Sequence, residues 1–217
     1  GTSTFTAKDS KIINNKGDII FVTNTSTVIN LENNEITNND SSGGFIKIGV
    51  AKWGNSGSNG GTVELNMTNQ TATGDIIVDN ISTLDLKLTN SSILTTAIDN
   101  SNSAKKVTLT LSKDSKLILT NDSYVDTLTN DDATNSNIYL NGHKLYVNGK
   151  EISANEESYI SNTNSNNESN TISNSNSNSN VNNNSQSNNN SIYILCGALA
   201  LILVLVLYIS TKTTKKA

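Results

Sequence analysis

Apolar residues fall at every second position in a phrase that the chain repeats. Val63-Glu-Leu65-Asn-Met67-Thr-Asn69-Gln-Thr-Ala72 recurs 21 residues further on as Leu84-Asp-Leu86-Lys-Leu88-Thr-Asn90-Ser-Ser-Ile93. Successive side chains of a strand point to opposite faces, so this alternation predicts a strand with one buried side. The Asn that closes each copy suits a turn, because its short polar side chain tolerates the left-handed backbone region. A repeat of about 20 residues has the length of one solenoid coil.

The same phrase runs through Thr27, Ile29, Leu31, Asn33 and Ile36, and through Phe5, Ala7, Asp9 and Ile12. It returns at Val107, Leu109, Leu111 and, after one extra residue, Leu117, with a looser copy through Ile138, Leu140, Leu145 and Val147. The turn positions Asp9, Asn33, Asn69 and Asn90 are spaced by 24, 36 and 21 residues, as expected when loops of different length leave a common coil. A second phrase lies between the copies: Gly17-Asp18-Ile19-Ile20 matches Gly74-Asp75-Ile76-Ile77, with Gly43-Gly44-Phe45-Ile46 as a relative. Each coil is therefore expected to hold at least two strands. Stacked about 4.8 Å apart, the coils would place Val63, Leu65 and Met67 against Leu84, Leu86 and Leu88 and align the turn residues in an Asn ladder. An antiparallel sandwich predicts similar strands but no repeated turn chemistry, so the repeat favours the solenoid. Two Asn-Gly pairs, Asn141-Gly142 and Asn148-Gly149, predict tight turns and a closing hairpin or truncated coil over the end of the stack.

On these repeats the chain resembles right-handed parallel β-helix proteins of the pectate-lyase-like and autotransporter-passenger kind over residues 2–152. Its terminal phrase from Asn137 to Lys150 is similar to the C-terminal part of large bacterial and archaeal adhesin-like surface proteins. The resemblance implies an all-β, right-handed parallel β-helix ectodomain over residues 1–152. It also brings polysaccharide lyases and glycosidases into view.

Beyond that domain the composition changes. Residues 153–191 are almost pure Asn and Ser, too poor in apolar side chains to offset ordering entropy, and predict a disordered linker. By flexible-coil scaling it spans roughly 35 Å, and on the order of 130 Å when taut. Ile192–Ile209 carries no charge and is rich in Leu, Ile and Val. At 1.5 Å per residue it measures about 27 Å, close to the hydrocarbon core of a bilayer, and predicts one transmembrane helix. Tyr193 and Tyr208 mark its ends, and Lys212, Lys215 and Lys216 in the tail 210–217 place the C-terminus in the cytoplasm and the rest outside. The apolar run before a basic tail also occurs in sortase signals, whose usual motif needs a Pro that this chain lacks. A glycolipid-anchor signal normally ends in its apolar run, so a retained membrane anchor is the reading left. With no signal peptide at Gly1, the chain is expected to be the C-terminal piece of a longer precursor.

Charge and chemistry narrow the function further. All 15 basic residues are Lys against 19 acidic ones, which argues against nucleic acid as a partner. The single Cys, Cys196, sits in the apolar run, and His143 is the only His, so neither a zinc site nor a Cys-His dyad can be assembled. Asp75, Asp79 and Asp85, close in sequence, read as turn and outward-face residues. Asp126, Asp131 and Asp132 match no calcium-loop spacing and read as a polar loop. No catalytic residue, metal ligand or cofactor is assigned. The one binding candidate is Trp53, the only Trp, on the Gly-rich excursion Gly49–Gly61, where its indole either stacks on a sugar ring or folds back over the coil edge as a lid. The resulting expectation is a non-enzymatic, membrane-anchored, adhesin-like surface protein whose partners are the bilayer and surface glycans or proteins of host or neighbouring cells. The alternative is a glycan-active β-helix enzyme whose catalytic residues lie upstream of this sequence.

Overall fold

A computed structural model describes residues 1–160; the expected tether, apart from its first residues, the expected membrane-spanning run 192–209 and the tail 210–217 lie outside the described residues. The chain winds into a parallel β-solenoid of about six turns. Its first face is a six-stranded parallel sheet in the order β1 (Thr2–Lys8), β4 (Thr25–Glu32), β7 (Gly61–Thr68), β10 (Thr83–Thr89), β12 (Lys106–Leu111), β15 (Thr127–Asn130). The second face stacks β2 (Lys11–Asn14) on β5 (Glu35–Asn38), then β8 (Thr71–Thr73), β11 (Ile93–Thr96), β13 (Lys116–Leu119) and β16 (Ile138–Tyr139). The third face holds β3 (Ile20–Val22), β6 (Ile46–Ile48) and β9 (Ile76–Val78). Ile98 bridges to Ile76, and β14 (Ser123–Val125) and β17 (Leu145–Val147) follow.

The alternating phrase produces this stack directly. Register places Ile29, Leu65, Leu86 and Leu109 in one inward row and Leu31, Met67, Leu88 and Leu111 in the next, all buried. Each leucine lies on its counterpart in the adjacent coil, so every coil removes the apolar surface of its neighbours from water. The turn positions behave as their chemistry predicts: φ is 49° at Asp9, 52° at Asn33, 47° at Asn69 and 51° at Asn90.

Three alignments differ from the sequence expectation. Ala72 pairs with Leu94, not Ile93, because Ser91 is an extra residue at the fourth corner and both Asn90 and Ser91 take positive φ. Ile76 aligns with Ile46 and Ile20, one position from the match of the Gly-Asp-Ile-Ile phrases. The sixth coil enters the first face through β15, where Leu128 sits below Leu109, whereas Ile138 belongs to the second face and Leu145 and Val147 to the third.

The expected ladder of turn amides is present only between the first two coils, where Asn33 Nδ2 donates to Asp9 Oδ1 at 2.7 Å. The continuous ladder runs through the residue just before each second-face strand. Ser10 N donates to Asn34 Oδ1 (3.0 Å), Asn34 N to Gln70 Oε1 (2.8 Å), Gln70 N to Ser92 Oγ (3.1 Å) and Ser92 N to Ser115 Oγ (3.1 Å). In the sixth coil Asn137 holds the position and donates through Nδ2 to the Ser112 carbonyl (3.2 Å). The left-handed turn aims each of these N–H groups along the stack, away from solvent, so a side-chain oxygen one coil on must accept it. Among the described residues, every buried side-chain N and O atom has a hydrogen-bond partner.

At the far end the third face finishes in the hairpin that the Asn-Gly pairs predict, while β15 is the outermost strand of the first face. Asn148 (φ 50°) and Gly149 (φ 74°) form the two-residue turn between β17 and the antiparallel β18 (Lys150–Glu151), with Val147 opposite Lys150. Positive φ at both central residues is the hairpin geometry that matches strand twist. The chain then runs along the sixth coil, with Leu140 N donating to the Asn155 carbonyl and Asn155 N to that of Ile138. Tyr159 packs edge-on against Tyr139.

Gln70 is the ladder's most connected member, since its Nε2 also donates to the Asn34 and Thr71 carbonyls. Replacing Gln70 by Met keeps the volume but strands the Asn34 N–H and carbonyl. We expect a loss of about 2–4 kcal/mol in urea unfolding, against under about 0.5 kcal/mol for Asn66→Ala on the outward face.

Candidate functional site

Two surface regions stand out from the regular stack. The first is built by the excursion between β6 and β7, twelve residues (49–60) where the next coil uses four (79–82). The loop is tied down along its length. Gly49 N donates to the Val22 carbonyl (3.0 Å) and Val50 N to Asp79 Oδ2 (2.7 Å). Asn59 Nδ2 donates to the carbonyls of Ala51 (3.2 Å) and Trp53 (3.1 Å), while Asn24 N donates to the Asn59 carbonyl (3.1 Å). Gly54 takes φ 88°, and a Cβ there would stand 2.8 Å from Asn59 Cβ and 2.9 Å from the Asn24 carboxamide, so this corner admits only glycine.

The pinned loop carries Trp53 towards the N-terminal end of the stack, where the residue is 57% exposed. Trp53 lines an apolar depression of about 330 Å³ together with Phe5, Ile20, Phe21, Thr25 and Ile29. Phe5 occupies an inward position of β1, yet it is 47% exposed because no coil lies above it; Phe21, on β3, is 48% exposed. Lys47 Nζ stands 5.6 Å from the Phe21 ring centroid, a cation–aromatic contact at the edge of the patch. Sequence reasoning found Trp53 from its uniqueness and its loop. It missed the exposure of Phe5, which reads as an inward position and is exposed only because it lies in the outermost coil, and it passed over Phe21, which faces outward in register with Lys47 and Ile77.

The second region is a shallow groove of about 560 Å³ on the outward side of the first face, bordered by Ser26, Thr62, Glu64, Thr83, Asp85 and Lys106. Lys87 Nζ bridges Glu64 (2.8 Å) and Asp85 (3.4 Å), and Thr108 Oγ1 donates to Asp85 Oδ1 (2.8 Å). The hydrogen bond from Lys87, with help from Asn66, holds the Glu64 carboxyl below the usual range, and the same bond raises the Lys87 ammonium. A general acid at neutral pH needs a carboxyl shifted upwards. Glu64 is shifted the other way, so it stays an anion that accepts hydrogen bonds and pairs with a cation.

Asp75, Asp79 and Asp126 hold backbone or a neighbouring hydroxyl. Asp75 Oδ1 accepts from Ala97 N (3.1 Å), Asp79 Oδ1 from the Ser82 hydroxyl (2.6 Å) and Asp126 Oδ2 from Val107 N (2.6 Å). Asp132 accepts from the hydroxyls and amides of Thr134 and Ser136, which hold its carboxyl well below the usual range. His143 follows the Asn141-Gly142 turn, its N–H on the Leu140 carbonyl. Among the described residues no group of three or more His, Cys, Asp or Glu is placed to hold a metal ion.

Fold and surface together define an all-β parallel β-solenoid with an aromatic-rimmed end and a polar outer face. No family model, curated protein or solved structure matches the chain.

Trp53 and its neighbour Gly54 should separate cleanly. Trp53→Ala removes a half-exposed side chain and is expected to shift stability by less than about 1 kcal/mol. Gly54→Ala forces a side chain into a left-handed, crowded corner and is expected to cost about 1–3 kcal/mol, with new protease cleavage within 49–60. Urea unfolding and limited proteolysis of the two variants check both.

Proposed function

We propose that the chain is a membrane-anchored, non-enzymatic surface protein of adhesin-like type. In this reading its right-handed parallel β-helix stands outside the cell on a flexible Asn/Ser tether. The observation that carries it is the charge-free run Ile192–Ile209, bounded by Tyr193 and Tyr208 and followed at once by Lys212, Lys215 and Lys216. Its length fits a bilayer core and its flanking charge sets the cytoplasmic side. The parallel solenoid supports a structural role, because its stability is distributed over equivalent coil interfaces and six coils give a rod roughly 25–30 Å long. The outward side of the first face is rich in Thr and Asn and its Glu64 is held ionised, which supports contact with a polar partner over bond cleavage. Surface glycans and proteins of neighbouring or host cells are the partners such a face fits, with Trp53 the residue best exposed to stack on a sugar.

Membrane fractionation of cells expressing the full chain tests this reading. The protein should remain in the pellet through an alkaline wash, and externally added protease should release the solenoid by cutting within 161–191. Leu203→Lys combined with Val206→Lys should move it to the soluble fraction. An intact chain that washes off, or a solenoid that outside protease cannot reach, would overturn the proposal, as would polygalacturonate turnover lost on mutation within residues 1–152.

A further inference from the structure

Aromatic side chains gather where the hairpin meets the stack. The described residues hold four tyrosines, and these fall in two pairs. Tyr139 and Tyr159 meet edge-on, with their ring planes at 72°. Tyr124 and Tyr146 lie parallel: their centroids are 4.8 Å apart and their planes differ by 6°. The register of β14 and β17 sets this arrangement, because Tyr124 pairs with Tyr146 and in-register neighbours point the same way from adjacent parallel strands. One ring is therefore the other displaced by one coil step, and each carbon beside one hydroxyl stands against its equivalent.

The pair sits where a covalent link would matter. β14 and β17 share three residue pairs, whereas β4 and β7 share eight, and β17 in turn carries the hairpin strand β18. The third face of the sixth coil thus rests on the fifth through a short ladder. Both rings are half-buried, and a polar cleft of about 90 Å³ opens beside them between Asp99, Asn102, Asp126 and Asn148. The pair is open on that side to solvent and to a small solute.

We propose that Tyr124 and Tyr146 form an oxidative cross-linking site, at which a one-electron oxidant of the haem-peroxidase class, fed by hydrogen peroxide, joins the two rings as dityrosine. Each phenol gives up one electron and one proton and becomes a phenoxyl radical. The two radicals pair in a carbon–carbon bond between the positions ortho to their hydroxyls. The hydrogen on each of those carbons then passes through solvent to the oxygen of its own ring, which restores two phenols. Hydrogen peroxide takes up the two electrons and two protons and leaves as two molecules of water. The new bond ties the hairpin's strand to the fifth coil and restricts the unfolded chain between 124 and 146, much as a disulfide does. Tyr139 and Tyr159 present an edge to a face, so their equivalent carbons do not oppose one another. The site is independent of the membrane reading and lies within one chain.

The test treats the full chain, held dilute in detergent micelles, with a haem peroxidase and hydrogen peroxide. Dityrosine fluorescence should appear in a monomer whose mass has fallen by two hydrogens, and one cross-linked peptide should carry both Tyr124 and Tyr146. Tyr124→Phe and Tyr146→Phe should each abolish that peptide, while the untreated variants keep the urea midpoint of the parent. In the oxidised chain, hydrogen exchange at residues 145–151 should slow at least about tenfold and the urea midpoint should rise. Dityrosine confined to dimers and growing with protein concentration would overturn the proposal, as would an internal cross-link that persists in Tyr124→Phe. A link between Tyr124 and Tyr146 that leaves exchange and midpoint unchanged would overturn its role in fastening the hairpin.

Discussion

The buried N–H at the first corner is the constraint on which the stack depends. A strand that must turn sharply into the next face uses a left-handed residue, and that residue aims the following N–H along the solenoid axis. Left unpaired, each such group would cost about 1–3 kcal/mol. The chain answers by placing an acceptor at the same corner one coil later: Asn34, Gln70, Ser92 and Ser115. The apolar rows hold the coils together without direction, since leucine on leucine tolerates sliding. The ladder supplies the register, because a coil shifted by one residue would lose its acceptor and turn its apolar row to solvent.

Modularity and surface follow from this arrangement. With apolar stacking and corner bonds fixed, each coil can vary its connections freely, and the second coil uses that freedom for the loop carrying Trp53. The outward side of the first face has no packing role, so Thr, Asn and the Glu64–Lys87–Asp85 group are held there by exposed contacts that contribute little to stability. The two ends are unlike. At one the hairpin at Asn148-Gly149 pairs with β17 while β15 is the outermost strand of the first face, and the other presents Ser10, Phe5 and the edge of β1.

Much of the fold was legible because it rests on the period of apolar positions and on residues that tolerate positive φ. Asp9, Asn33, Asn69 and Asn90 were readable as turns, and Asn148-Gly149 as a hairpin, since few residue types fit those backbones. The ladder was not. Its members, Ser10, Asn34, Gln70, Ser92 and Ser115, share only an oxygen at a suitable distance, and residue identity does not align them. Ser91 conceals the match further, because one inserted residue moves Leu94 into the place that Ile93 would otherwise hold. The candidate site was half legible for a different reason: Trp53 is conspicuous alone, whereas Phe5 matters through its exposure in the first coil and Phe21 through its outward position on β3 beside the loop.

Removing one whole coil tests most directly whether the stack is held by equivalent, in-register interfaces. Deleting residues 83–105 joins Ser82 to Lys106, lays β12 on β7 in the register β10 now occupies, and offers Ser115 to the Gln70 N–H. The shortened chain should keep a β-rich circular dichroism spectrum and one cooperative urea transition at a lower midpoint. Loss of cooperative unfolding, or a chain that no longer folds, would contradict the account.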